Sequence, residues 1–236
     1  MPELADRIRW FSFLLVGAYA LTAVVTVFTV HPSATAQLGP SEQQLFARLV
    51  LTALFVLLAG LLGVPLWRYL QWVSVVSRDA PAEQLNLSSL RLEKWLNAGR
   101  ILNIIGAVVF SLGIVGSLLR FRPDAPYLTN LLSQLVLLAY VFVIIRICIA
   151  APHRIAAVRT RSADFTVPVL ERLLVLLLQL TALSWVISLF QSVQLHQSWF
   201  LLVVSALIVL SSLAFLSVTR QFVARVVAHS ETVRPA

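Results

Sequence analysis

Charged residues are scarce in this sequence, and acidic residues are the scarcest of them. Only 12% of the 236 residues are charged, whereas a soluble domain averages about 25%. The chain has 10 Asp and Glu against 18 Lys and Arg, is 59% hydrophobic and has a mean hydropathy of +0.90. This balance excludes a soluble enzyme and a disordered segment. Because long apolar runs separate the basic residues, the sequence also argues against a nucleic-acid partner.

Cysteine and the common catalytic motifs are missing as well. Cys148 is the single cysteine, so no disulfide forms within the chain. The four histidines are far apart in the sequence, and we interpret His31 and His196 as surface residues rather than metal ligands. The sequence contains no P-loop, no nucleophile elbow and no dinucleotide-binding motif. We therefore expect neither an enzyme nor a bound metal or cofactor.

Six long apolar runs are the most prominent feature that is present. A helix needs about 20 apolar residues to cross a bilayer core, and a lipid-exposed backbone has to satisfy its own hydrogen bonds. The sequence predicts an all-α polytopic membrane protein with a single membrane domain in contact with the lipid bilayer. The six transmembrane helices are expected at residues 10–30, 49–72, 101–119, 128–150, 169–190 and 199–218.

The basic residues are distributed unevenly between the two sides of these runs. If the runs span a membrane, 15 of the 18 Lys and Arg lie on the side that carries both termini. Arg48, Arg120 and Arg122 lie on the other side. By the positive-inside rule, both termini are expected in the cytoplasm. A signal peptide cleaved after Ala36 is disfavoured, because the first run is longer than the h-region of about 7–15 residues that such peptides have.

The ends of the runs indicate three helical hairpins. Acid–base doublets precede the odd-numbered helices, at Asp6-Arg7, Glu93-Lys94 and Glu171-Arg172, and an arginine lies near the end of each even-numbered helix. An internal repeat would explain this pattern. The alternative is that the helix dipole and the positive-inside rule produce it without duplication.

The loop expected at residues 77–100 is the longest on the cytoplasmic side. Pro81 is expected to end the preceding helix. Residues 90–97 have an amphipathic pattern and are expected to form a short interfacial helix, capped by Asn86, Ser88 or Ser89.

Uncharged polar residues are the candidates for a substrate path. None of the ten acidic residues lies within an apolar run, which argues against a proton-coupled or sodium-coupled pump. The path candidates are Asn103, Gln134, Gln179 and the deeply placed Arg146. The alternative is that the three uncharged residues only link helices and that Arg146 extends its side chain to the interface.

Small residues concentrate in the third run. Gly99, Gly106 and Gly113 are seven residues apart and Gly116 follows, so these glycines lie close to one helix face. Small residues allow helices to approach closely. We therefore expect this face to mediate helix packing.

Three segments resemble a membrane-protein family of cyanobacteria and plastids. They are Arg9–Phe13, Trp67–Tyr69 and the part of the third run that contains Gly99, Asn103, Gly106 and residues 115–119. This family includes the chloroplast inner-envelope protein described both as an iron permease and as a protein-import component. The resemblance covers about residues 1–150, and the third hairpin has no counterpart in the four-span family. It implies a bacterial inner membrane or a thylakoid or plastid membrane, and metal-ion transport.

Two functions remain open at this stage. The first is a permease or channel for a small solute or metal ion, which the resemblance favours. The second is a non-catalytic accessory or assembly subunit, with a second copy or other membrane subunits as partners, which the absence of membrane carboxylates favours. The sequence places transport slightly ahead of the accessory role.

Overall fold

The structure, a computed structural model, describes residues 2–29, 40–78, 80–119, 125–160, 167–194 and 199–232. Long helices make up this part of the chain. No strand occurs in these ranges. The described residues form six helices, α1 (Pro2–Thr29), α2 (Pro40–Ser77), α3 (Ala82–Leu119), α4 (Ala125–Thr160), α5 (Val167–Gln194) and α6 (Trp199–Thr232). The all-α class is thus confirmed.

Five of these helices are long and apolar enough to span a membrane. Their qualifying segments are Pro2–Val25, Ala82–Leu119, Tyr127–Thr160, Pro168–Gln191 and Leu202–Val226. Each contains most or all of one expected span. The remaining expected span, residues 49–72, falls in α2, and the part of it between residues 51 and 62 lies largely outside the residues whose side chains are described.

The six helices form a closed ring. Within the described ranges, each helix packs against its neighbours in the chain, and α1 also packs against α6. The three expected hairpin pairs are all in contact, but α1 packs more extensively on α6 than on α2. The hairpins are therefore parts of one ring of six helices rather than separate units.

One end of this ring has an apolar core, which we call the basic-end cluster. It joins the start of α1, the end of α2, the start of α3 and the ends of α4 and α6. Its buried members are Leu4, Ala5, Ile8, Leu70, Trp72, Val73, Leu92, Ile155, Val218, Phe222 and Val226. The start of α1 and the end of α6 therefore lie at the same end of the bundle, together with the helix ends that carry most of the arginines. A smaller cluster of Val143, Leu174, Leu177 and Leu216 joins α4, α5 and α6.

The expected loop at residues 77–100 is mostly helix. After a turn at Arg78, α3 begins at Ala82 and continues without interruption to Leu119. The Leu85 amide donates to the Pro81 carbonyl at 3.1 Å, so Pro81 supplies the first acceptor of α3, and the expected serine and asparagine caps are not used. Residues 90–97 are part of this long helix rather than a separate interfacial helix, because Leu92 is buried in the basic-end cluster.

Two further helices also extend past the expected spans at this end. Helix α4 continues through Pro152 to Thr160, and α6 continues to Thr232. The burial of Ile155, Phe222 and Val226 explains these extensions, since tertiary packing stabilises helix beyond what composition predicts.

Candidate functional site

Two of the residues proposed for a substrate path, Asn103 and Gln134, form hydrogen bonds within the chain. The Asn103 side-chain amide donates to the Gly99 carbonyl of its own helix at 2.8 Å. The Gln134 carbonyl oxygen accepts from the Ser117 hydroxyl at 3.3 Å, and the Tyr127 hydroxyl donates to the Ser117 carbonyl. Gln134 thus links α4 to α3, as its alternative interpretation predicts.

The remaining path candidates lie on the outside of the bundle. The side chains of Arg146 on α4 and Gln179 on α5 are exposed. None of the four path candidates lines either of the two cavities described below. Among the described hydrogen bonds and ion pairs, none joins one of these four residues to another. His31 and His196 lie outside the described residues.

The four glycines of α3 have different surroundings. A Cβ atom at Gly99 would lie 3.8 Å from Cys148 Sγ on α4. A Cβ atom at Gly106, Gly113 or Gly116 would meet nothing within 4 Å. Of these four glycines, Gly99 is the one at which a Cβ atom would contact another helix among the described residues.

A cavity of about 640 Å³ lies between α1, α2 and α3 at the basic end. We call it the α1–α3 cavity. Its size is within the range of about 300–1,000 Å³ that small-molecule sites occupy. Its lining residues are Arg9, Phe13, Trp67, Leu70, Gln71, Ser74, Val75, Gln84, Leu87, Ser88 and Arg91. Among these described lining residues, none is acidic.

The polar wall of the α1–α3 cavity is organised around Arg9. Arg9 Nη2 donates to Ser74 Oγ at 2.8 Å, which joins α1 to α2. Arg9 Nη1 lies 3.5 Å from Asp6 Oδ1, in a pair with side chains 36% and 69% exposed. Because both side chains reach solvent, the pair is screened and contributes little to stability. Arg68 Nη1 donates to Gln71 Oε1 at 3.0 Å and brings a further cation next to the lining.

The apolar wall of the same cavity lies closer to the middle of the bundle along the helix axes. Phe13 follows Arg9 by one turn of α1, and Trp67 precedes Ser74 by about two turns of α2. Trp67 is 57% exposed and Phe13 is 65% exposed, whereas Leu70 is buried. The cavity is therefore amphipathic, with arginines near the helix ends and aromatic rings towards the middle of the bundle.

A second cavity is almost entirely apolar. It measures about 470 Å³ and lies between α3 and α4, lined by Ile104, Ala107, Val108, Ser111, Leu112, Val115, Phe142 and Ile145. The Ser111 hydroxyl donates to the Ala107 carbonyl within α3. Among its described lining residues, none is charged, and Ser111 is the one with a polar side chain.

Sequence reasoning missed two polar features of α4. The Arg154 side chain is buried, with the residue 4% exposed, although the sequence places it among ordinary surface arginines. Arg159 Nη1 lies 3.9 Å from Glu93 Oε1 and 3.5 Å from Asn86 Oδ1, so it joins α4 to the start of α3. No group of three or more potential metal ligands occurs among the described His, Cys, Asp and Glu residues.

The fold and the site define an all-helical protein whose apolar helices are compatible with an integral membrane protein in contact with a lipid bilayer. No known family model, curated protein or solved structure matches the chain. The geometry of the chain itself is therefore the basis for the proposals that follow.

Proposed function

We propose that this protein is a non-catalytic accessory or assembly subunit of a membrane complex. The observation that carries the proposal is the basic-end cluster, in which side chains from five helices fill the end of the ring with apolar residues. A permeation path through the ring would have to cross this core. The proposed path residues also do not gather at a shared cavity, which supports a role in helix contacts rather than transport.

The outer surface of α3 supplies the second part of the argument. Gly106, Gly113 and Gly116 have open space where a side chain would project, and Val109 and Leu112 beside them are exposed. Small residues permit the close approach of another helix. This face therefore suits a neighbouring subunit or a second copy of the chain.

Co-purification tests the accessory role. The tagged full chain is extracted with a mild detergent and its particle mass is measured. We expect a defined complex well above the 26.1 kDa of the single chain, with a stoichiometric partner. A monodisperse single chain with no partner would contradict the proposal.

A matched pair of variants tests where the partner binds. Gly113→Leu adds a side chain to the open face of α3, whereas Ala182→Leu adds one to the exposed surface of α5. We expect Gly113→Leu to reduce recovery of the complex at a normal level of folded protein. We expect Ala182→Leu to leave the recovery unchanged, and equal effects of the two variants would argue against an α3 interface.

The orientation of the protein in its membrane is proposed from its charge distribution. We place the basic end in the cytoplasm, or the equivalent stroma, of a bacterial inner, thylakoid or plastid membrane. A C-terminal green fluorescent protein fusion should fluoresce in bacteria, and a C-terminal alkaline phosphatase fusion should be inactive. An alkaline phosphatase fusion after Arg122 should be active, and the reverse pattern would overturn this orientation.

A permease is the second candidate, favoured by the α1–α3 cavity at the basic end. Two arginines line this cavity and no acidic residue does among the described ones, so its charge suits an anionic solute. It does not suit the metal cation that the family resemblance implies. Proteoliposomes with the pure protein should take up an anion such as phosphate and exclude iron and manganese, and no uptake above empty vesicles would remove the candidate.

A further inference from the structure

The α1–α3 cavity is lined by both basic and apolar side chains. The basic residues Arg9 on α1 and Arg91 on α3 both line it. Arg9 bonds to Ser74, which is two residues from Trp72, and Arg91 is two residues from Ser89. Because Trp72 bonds to Ser89, both arginines lie near the contact that joins α2 to α3.

Neutral polar side chains also line the cavity. Ser74 and Gln71 carry donors as well as acceptors, and the Ser88 hydroxyl donates to the Leu85 carbonyl of its own helix. Of the acidic residues nearby, Asp6 pairs with Arg9 through a solvent-exposed contact at 3.5 Å, and Glu93 pairs with Arg159 on α4, so Arg91 has no acidic partner among the described contacts. Two guanidinium groups with hydroxyl and amide donors match the oxygen atoms of a phosphate group.

The apolar part of the cavity wall includes Phe13 and Trp67, which lie closer to the middle of the bundle than Arg9 and Ser74. Both are large, exposed side chains that line the same cavity. A free inorganic anion cannot bury such an apolar surface. An amphiphile with a phosphate head and an acyl chain would bury it, and an exposed aromatic ring is typical of the level at which lipid headgroups lie.

We propose that the α1–α3 cavity is a binding site for the phosphate headgroup of an anionic membrane lipid. Arg9 and Arg91 bind the phosphate oxygens, and Phe13 and Trp67 pack against the start of the acyl chains. The proposal does not rest on the accessory role, since a transporter and an accessory subunit are both able to carry a bound lipid.

Native mass spectrometry of the full chain tests this site. The delipidated protein is titrated with phosphatidylglycerol and with phosphatidylcholine of the same chain length. We expect phosphatidylglycerol to bind at least about tenfold more tightly, because the choline of phosphatidylcholine offsets the phosphate charge that attracts the arginines. Equal binding of the two lipids would overturn the proposal.

Paired arginine variants locate the binding. Arg9→Gln with Arg91→Gln removes two charges from the cavity, and we expect phosphatidylglycerol affinity to fall by about tenfold or more. Arg220→Gln with Arg225→Gln removes two charges from exposed positions on α6, and we expect no change beyond about twofold. Equal losses in the two pairs would mean general surface attraction and would overturn the site.

Single variants keep the test valid if the loss of the Arg9–Ser74 bond impairs folding. Arg91→Gln leaves that bond intact and should alone reduce phosphatidylglycerol affinity about tenfold. Trp67→Ala removes an exposed ring from the apolar wall and should weaken lipid binding at unchanged folded yield. Normal affinity in both variants would overturn the proposal.

Competition with inorganic phosphate separates a lipid from a free anion. We expect phosphate to displace phosphatidylglycerol only at concentrations at least about a hundredfold above the lipid, because it cannot use the apolar wall. Displacement at equal concentration would assign the cavity to a free anion and overturn the lipid assignment.

Discussion

Trp72 joins three helices through one side chain. Its indole Nε1 donates to Ser89 Oγ on α3 at 3.3 Å. Its ring meets Phe222 of α6 edge to face, with the centroids 6.1 Å apart at an interplanar angle of 78°, and stacks near Tyr69 of its own helix. A buried tryptophan needs a partner for its N–H group, and Ser89, one of the three residues that the sequence suggested as a helix cap, supplies it from within α3.

Substitutions at Trp72 should separate its polar contact from its packing. Trp72→Phe keeps a ring beside Phe222 but removes the donor to Ser89, and we expect a loss of about 1 kcal/mol in the free energy of unfolding. Trp72→Ala removes the ring as well and should cost about 3–5 kcal/mol. Denaturant unfolding in detergent micelles measures the free energy of unfolding of both variants. Trp67→Phe, at an exposed position, is the control. Similar losses in all three variants would contradict the separate contributions assigned to the hydrogen bond and to the packing of the ring.

A second prediction at the residue scale concerns the glycines of α3. A glycine inside a helix costs about 0.5–1 kcal/mol relative to alanine, and the Cβ of Gly106→Ala would meet no atom within 4 Å. We expect Gly106→Ala to raise the thermal midpoint of the isolated chain. Gly99→Leu places a large side chain next to Cys148 and should lower the thermal midpoint. A lower midpoint for Gly106→Ala would mean that another helix already occupies the face of α3 that contains Gly106.

The continuity of α3 is the main finding at the scale of the elements. The charged residues of its first turns, including Arg91, Glu93 and Lys94, made this segment resemble a loop with a short surface helix. Its buried positions, Ser89 and Leu92, are instead held by the bond to Trp72 and by the basic-end cluster. The same helix thus runs from the expected cytoplasmic loop through the apolar run.

Proline substitutions distinguish one long helix from two short ones. Asn97 is exposed on α3 between the charged segment and the apolar run. Asn97→Pro should remove a backbone hydrogen bond inside the helix and cost about 3 kcal/mol or more. Glu83→Pro, in the first turn, should be tolerated. A circular dichroism melt compares them, and equal stability of the two variants would favour a break near residue 97.

Apolar composition was enough to predict the helices but not their packing. The runs beginning near residues 101, 128 and 169 are recognisable from length and hydropathy alone, because lipid imposes both. The extensions that contain Leu92 and Ile155 have ordinary mixed composition, and only the neighbours supplied by the folded ring make them helical. The α1–α3 cavity was missed for the same reason, since Arg9, Ser74 and Arg91 are far apart in the sequence and their proximity depends on helix register.

At the scale of the whole molecule, the contact between α1 and α6 closes the ring. Ile8 and Phe222 are both completely buried in the basic-end cluster, although they come from opposite ends of the chain. Phe222 also contacts the ring of Trp72 on α2. The stability of the first hairpin should therefore depend on the last helix.

Phe222→Ala tests this dependence. We expect a loss of about 3–5 kcal/mol in the free energy of unfolding, because a large buried ring is removed from a core shared by five helices. Phe190→Ala, at a 62% exposed position on α5, is the matched control and should change stability little in detergent. Equal effects would show that the basic-end cluster is not the main source of stability.

The closure of α1 on α6 has a consequence for the synthesis of the protein. Helix α1 is made before α6, and Leu4 and Ile8 of α1 share a buried cluster with Phe222 and Val226 of α6. This part of the α1 surface is therefore not fully covered until α6 has been made. Chains whose synthesis stops before α6 would leave it exposed, so a membrane chaperone or a quality-control protease would have a direct signal for distinguishing them from chains that contain α6.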